Sequence, residues 1–160
     1  MRRHPLAILL VDDSAADARL LREALAEARV PSRLSVVTDG RAALAFLRRA
    51  EGVHAAAPRP DLVITDLNMP RLGGHDLLRI MKSDVSLRRI PVLVLTTSAT
   101  PEDITTAYDL HANAYLTKPA DIEPFCTMIH AVTQFWGATA QTPSCPDPAV
   151  PAHASPRGSP

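Results

Sequence analysis

Asp12, Asp13, Asp66, Thr96 and Lys118 are the side chains best suited to chemistry in this chain, and each stands at the end of a stretch that reads as a strand. The run Leu62-Val63-Ile64 delivers Asp66 and then stops at Asn68-Met69-Pro70. Four to six apolar residues bounded by turn signals read as a buried parallel strand, and open α/β sheets keep their working residues just beyond the carboxyl ends of such strands. Taken alone, Asp66 could be a helix cap, Asp12-Asp13 likewise, and Lys118 a solvated lysine. Taken together they place three carboxylates, a hydroxyl and an ammonium at one rim. Clustered carboxylates repel one another unless a cation neutralises them. Oxygen ligands with room for water suit Mg²⁺, and Asn68 can add a backbone carbonyl. A carboxylate beside such a metal can attack a phosphoryl group and become an acyl phosphate. The metal, Lys118 and the Thr96 hydroxyl would then bind the phosphoryl oxygens.

The elements that must position these groups alternate strand and helix. Leu6 to Val11 reads as a central strand, followed by a helix with Ser14 as N-cap and Ala18, Leu21, Leu25 and Ala28 at helical spacing, closed by Pro31. Arg33 to Thr38 is a second strand with Asp39-Gly40 as its turn, and a helix through Ala43, Leu44, Phe46 and Leu47 ends near Glu51-Gly52. After a loop from Val53 to Pro60 comes the strand to Asp66, a turn through Gly73-Gly74, and a helix carrying Leu77, Leu78, Ile80 and Met81. Pro91 to Thr96 is the fourth strand. Thr100 caps the next helix, with Pro101 at its first position. Ala114 to Leu116 is the fifth strand, and the last helix runs from about Asp121 to Trp136. Five strands alternating with five helices imply an α/β fold with a doubly wound parallel sheet.

Composition narrows the function. The chain of 160 residues predicts one domain, and its 17 basic and 17 acidic residues give no nucleic-acid or membrane surface. No apolar stretch approaches the ~20 residues of a membrane span, and the apolar run after Met1-Arg2-Arg3 is too short for a signal peptide. Cys126 and Cys145 lack metal spacing and read as reduced thiols of a cytoplasmic protein. Residues 137–160 hold six of the chain's 15 prolines and few large apolar side chains, so they read as a disordered tail.

Residues 5–136 resemble a receiver domain of the two-component response regulators, the CheY-like family. The resemblance rests on Asp12-Asp13, Asp66 in Asp66-Leu67-Asn68-Met69-Pro70, Gly74, Thr96, Tyr115 and Lys118-Pro119. Three stretches, 67–70, 90–98 and 107–116, together with Phe135-Trp136, are similar to the small regulators that serve bacterial phytochrome kinases. The resemblance implies a flavodoxin-like sheet of order 2-1-3-4-5. It makes Asp66 the phosphoacceptor, Asp13 a direct Mg²⁺ ligand, Asp12 a ligand through water, and Asn68 a carbonyl donor. Thr96 and Lys118 would bind the phosphoryl group, with Tyr115 as aromatic switch and Lys118-Pro119 in the cis form. Tyr115 reads equally as a half-buried strand aromatic, and spacing to Lys118 favours Thr96 over Thr97. Gly73 stands before Gly74 where one glycine would serve, which loosens that turn. Asn68 and Ser98 flank the site and would tune hydrolysis.

The expected function is a stand-alone phosphoacceptor for a phytochrome-type sensor histidine kinase, catalysing only its own phosphorylation and dephosphorylation. It would signal by protein contact or pass its phosphoryl group to a histidine phosphotransfer protein. A hydrolase of haloacid-dehalogenase type would want an acid where Asn68 stands and leaves the paired aspartates unexplained. A phosphorylation-independent scaffold leaves the complete acidic set unused. On the last helix, Ile122, Phe125, Ile129, Val132 and Trp136 form a core stripe, while Met128, Ala131 and Phe135 form a second apolar stripe. An apolar arc wider than core packing requires reads either as a partner surface or as Phe135 and Trp136 folding over the helix end to finish the core. The resemblance to the phytochrome-partner regulators implies a symmetric homodimer through the fourth helix, fifth strand and fifth helix.

Overall fold

The computed structural model describes residues 4–49 and 56–143. In chain order the elements are β1 (Leu6–Val11), α1 (Ala15–Glu27), β2 (Ser32–Val37), α2 (Gly40–Leu47), β3 (Leu62–Thr65) and α3 (Gly74–Ser83). They continue as β4 (Val92–Thr96), α4 (Pro101–Asp109), β5 (Ala114–Thr117) and α5 (Ile122–Thr133), with a π-helical stretch over Gln134–Thr139. All strand pairs are parallel, in the order β2-β1-β3-β4-β5. This is the doubly wound sheet expected from the alternation.

Strand alternation divides the core between the two faces of the sheet. Leu9, Val11, Val63, Val92 and Val94 meet the buried sides of α2 and α3 and Ala107 of α4. Ile8, Leu10, Leu62, Ile64, Leu93 and Leu95 meet Leu21 and Leu25 of α1 and Phe125, Ile129 and Val132 of α5. The three central strands are thus covered on both sides, and their apolar runs have no polar face to show.

Local chemistry sets the helix starts. Ser14 Oγ accepts the Asp17 N–H, and Thr100 Oγ1 accepts the Asp103 N–H with Pro101 next in line, both as expected. Asp39-Gly40 is not a simple strand turn. The Asp39 carboxylate accepts the Ala42 N–H at 2.8 Å and caps α2, whose first residue is Gly40. The α2 end expected at Glu51-Gly52 lies outside the described residues, as do Val53 to Ala55 of the following loop; α2 itself ends at Leu47.

The amino-terminal end of the sheet is held by a lysine. Lys82 Nζ donates to the carbonyls of Ile90 at 3.0 Å and Arg88 at 3.2 Å, and to Asn113 Oδ1 at 3.2 Å. Asn113 in turn exchanges two hydrogen bonds with the backbone of Val92. Burial pushes the Lys82 ammonium below its ordinary pKa.

The last helix differs from expectation in two ways. Its helical path continues past Trp136 to Thr139, and a Cβ on Gly137 would lie 2.5 Å from Val30 Cγ1. The boundary at 136 therefore falls inside a packed turn; the tail from 144 onward and Cys145 lie outside the described residues. Second, Ile122, the first residue of α5, is 67 % exposed, whereas Met128 packs against the core. Phe135 stands edge-on to the half-buried Trp136 and is 52 % exposed.

Candidate functional site

Hydrogen bonds of the sheet continue one step past the strands and fix the backbone of the rim. Asp12 N–H donates to Val37 O (3.0 Å), Asp66 N–H to Val11 O (2.9 Å), and Lys118 N–H to Thr96 O (2.7 Å). Three chemistry-bearing residues thus leave the sheet from a fixed backbone. Behind Asp66, a Cβ on Gly74 would lie 2.1 Å from the Asp66 carbonyl, so only glycine fits there. A Cβ on Gly73 would lie 3.1 Å from Leu67 O. The second glycine is therefore also pressed against the loop, and does not loosen it.

The three carboxylates and the Lys118 ammonium converge at one rim. One carboxylate oxygen from each of Asp12, Asp13 and Asp66 lies within 4.8 Å of the other two. Asp12 is buried, Asp66 half-buried and Asp13 exposed, so the cluster opens to solvent on one side. An all-oxygen donor set of this size fits a hard divalent cation. Asp66 Oδ1 accepts the N–H of Leu67 at 2.7 Å and of Asn68 at 3.4 Å, which leaves Oδ2 for Lys118 at 3.0 Å. Asp12 Oδ1 accepts the Ser14 N–H, and its Oδ2 lies 2.8 Å from Lys118 Nζ.

Burial is the main force on Asp12 and pushes its carboxyl above the usual range, with Lys118 opposing. Burial also works against the Lys118 charge, but its hydrogen bonds to Asp12, Asp17 and Asp66 outweigh that and hold its pKa above the ordinary lysine value. The ammonium is therefore charged at any physiological pH. Asp17 was not among the expected site residues. It sits on the first turn of α1, where an acidic side chain is ordinary, and only its position one turn after Asp13 hinted at the rim.

Thr96 is fully buried and its Oγ1 accepts the Ser98 N–H at 3.4 Å, while Thr97 is exposed. The half-buried Tyr115 donates its hydroxyl to Ser98 O at 2.9 Å, and burial raises its pKa. Ser98 Oγ reaches Asp103 Oδ2 at 2.5 Å, so the loop after β4 is tied to β5 and α4 together. The expected cis bond at Lys118-Pro119 is not found: among the described residues every peptide bond is trans. Trans is the preferred form even before proline, and here the backbone bond to Thr96 and three carboxylates orient the lysine. Among the described residues no helix is long and apolar enough to cross a membrane.

Known proteins are similar to this chain in sequence and in fold. The response regulator Rcp1 of Synechocystis is 41 % identical over 140 residues, covering 88 % of this chain and 95 % of that protein. The crystal structure of the phosphorylated cyanobacterial phytochrome response regulator RcpA superposes with a TM-score of 0.83 at 45 % identity, covering 88 % of this chain and all of the other. The Mn²⁺-bound form of Rcp1 superposes with a TM-score of 0.81 at 41 % identity, with 88 % and 100 % covered. The response regulator receiver domain family matches residues 8–130, and with the sheet order and acidic rim in agreement, this chain belongs to that family.

Proposed function

We propose that this protein accepts a phosphoryl group on Asp66 from a sensor histidine kinase of the phytochrome type. An O–P bond forms to the Asp66 carboxylate as the N–P bond of the kinase phosphohistidine breaks, and its electron pair stays with the imidazole nitrogen. The carrying observation is the Asp66 carboxylate itself, which stands in the Asp12–Asp13 cluster with Lys118 Nζ 3.0 Å from its Oδ2. Asp13, Asp66, the Asn68 carbonyl and, through water, Asp12 would hold Mg²⁺, which would supply charge neutralisation at the phosphoryl oxygens. Lys118 and the Thr96 hydroxyl bind those oxygens, and Tyr115 reports the change through Ser98. The phosphoryl group leaves again by hydrolysis at the same site. Likeness to proteins named as phytochrome response regulators supports the choice of kinase.

Signalling then proceeds in the cytoplasm by protein contact, including transfer to a histidine phosphotransfer protein. Two copies associate through α4, β5 and α5. Tyr108, Ile122 and Phe135, all about half exposed or more, supply the apolar part of that face.

The test is incubation with Mg²⁺ and acetyl phosphate. One hydroxylamine-labile phosphoryl group should appear on the wild type and none on Asp66→Asn. Labelling that persists in the variant would remove the assignment.

A further inference from the structure

The Lys118 ammonium has three N–H donors, and three carboxylates take them: Asp17 at 2.7 Å, Asp12 at 2.8 Å and Asp66 at 3.0 Å. The lysine side chain is only 6 % exposed, so no donor is left over for solvent. A phosphoryl oxygen can reach the ammonium only by displacing one of the three.

Asp17 differs from the other two. It is not a member of the Asp12–Asp13–Asp66 cluster, and it comes from a helix, not from a strand end. It is also free to do this because of how α1 begins. In an ordinary capping box the acidic residue three after the cap folds back onto the cap N–H. Here the Ser14 N–H is already taken by Asp12 Oδ1 at 2.9 Å. Ser14 Oγ accepts the backbone N–H of Asp17, which pins the residue while leaving its carboxylate unspent. That carboxylate turns to the lysine.

We propose that Asp17 is a positioning residue for Lys118, holding one ammonium N–H throughout so that the N–H now on Asp66 is the one passed to the phosphoryl oxygen. Lysine is a flexible stem carrying a compact charge, and without a fixed partner its ammonium explores many rotamers. Asp12 alone cannot fix it, since one contact leaves the head free to pivot; a second contact from another element sets its direction. The Asp17 side chain is 35 % exposed, so solvent screens the pair and its effect is on geometry more than on stability. This proposal rests on Asp66 being the phosphoacceptor.

The experiment uses the full chain with Mg²⁺ and acetyl phosphate, comparing wild type, Asp17→Ala, Asp17→Asn and Asp66→Asn. The capping bond uses the Asp17 backbone, so Asp17→Ala keeps it and stays folded. Asp17→Ala should be phosphorylated about tenfold more slowly, the loss of one charge-assisted contact in the productive geometry. Asp17→Asn keeps an oxygen acceptor and should recover most of the rate. In ¹⁵N spectra of the unphosphorylated protein, the Lys118 ammonium signal should be sharp in wild type and Asp17→Asn and lost to solvent exchange in Asp17→Ala. A wild-type or faster rate in Asp17→Ala, or no recovery in Asp17→Asn, overturns the positioning role. Persistent labelling of Asp66→Asn instead overturns the phosphoacceptor reading beneath it.

Discussion

Arg71 places both Nε and Nη2 2.6 Å from Oδ2 of Asp39, although the two residues lie 32 positions apart. Arg71 has a left-handed backbone, with φ 64°. Next to it, the Gly40 N–H donates to Leu72 O at 2.9 Å. The loop after Asn68 is thereby clipped to the start of α2. Asp39→Ala removes a helix cap and the clip together, and should cost about 1–3 kcal/mol of stability by urea unfolding.

The same carboxyl predicts a pH dependence. The Ala42 N–H, with help from Arg71, holds Asp39 below its ordinary pKa of 3.8. A group whose folded pKa is lowered stabilises fully above the unfolded value and loses that contribution as pH falls. Wild type should lose stability below about pH 4, and Asp39→Asn, less stable at neutrality, should lose less over the same interval. Parallel acid curves for the two proteins would show that Asp39 does not carry this dependence.

Asp12 and Asp66 are paired with Lys118, whereas no ion pair to Asp13 is found among the described residues. Without added metal, Asp13→Asn should therefore relieve repulsion and raise the melting temperature by roughly 2–5 °C. Calorimetric titration should show Mg²⁺ affinity falling far more in Asp13→Ala than in Asp12→Ala. Equal losses would remove the distinction between direct and water-mediated ligands.

Phe135→Asp places a charge on the exposed surface of the π-helical stretch after α5 without touching the buried Phe125, Ile129 and Val132. Sedimentation should show a dimer for wild type at micromolar concentration and a folded monomer for the variant. A monomeric wild type, with or without beryllofluoride, would retire the dimer.

Truncation at two points isolates the contribution of the packed turn after α5. A chain ending at Trp136 loses Gly137 and its contact with Val30, and should melt several degrees below one ending at Pro143. Identical melting would mean that the turn contributes nothing to the core.

The central strands were legible because parallel strands there are apolar on both faces, and the rim aspartates and Thr96 because they end such runs; Lys118 follows the edge strand β5. Ser14 and Thr100 announced their helices by type and position. The Asp17–Lys118 and Asp39–Arg71 pairs were not legible, since ion pairs between distant residues leave no local period. Ile122 and Met128 were misplaced for a related reason. Helical spacing says which residues share a stripe, but not which of them the neighbouring elements cover.

Lys82 and Lys118 give the two ends of the sheet opposite characters. Lys82 is bound by two backbone carbonyls and an amide oxygen, none of which any step at the rim would displace. Lys118 is bound only by carboxylates, one of which belongs to the proposed phosphoacceptor. Amide hydrogens near the first, such as those of Val92 and Asn113, should exchange with deuterium at the rate of global unfolding whatever the state of Asp66. Those near the second, such as Ser98, should exchange through local opening and record its chemistry.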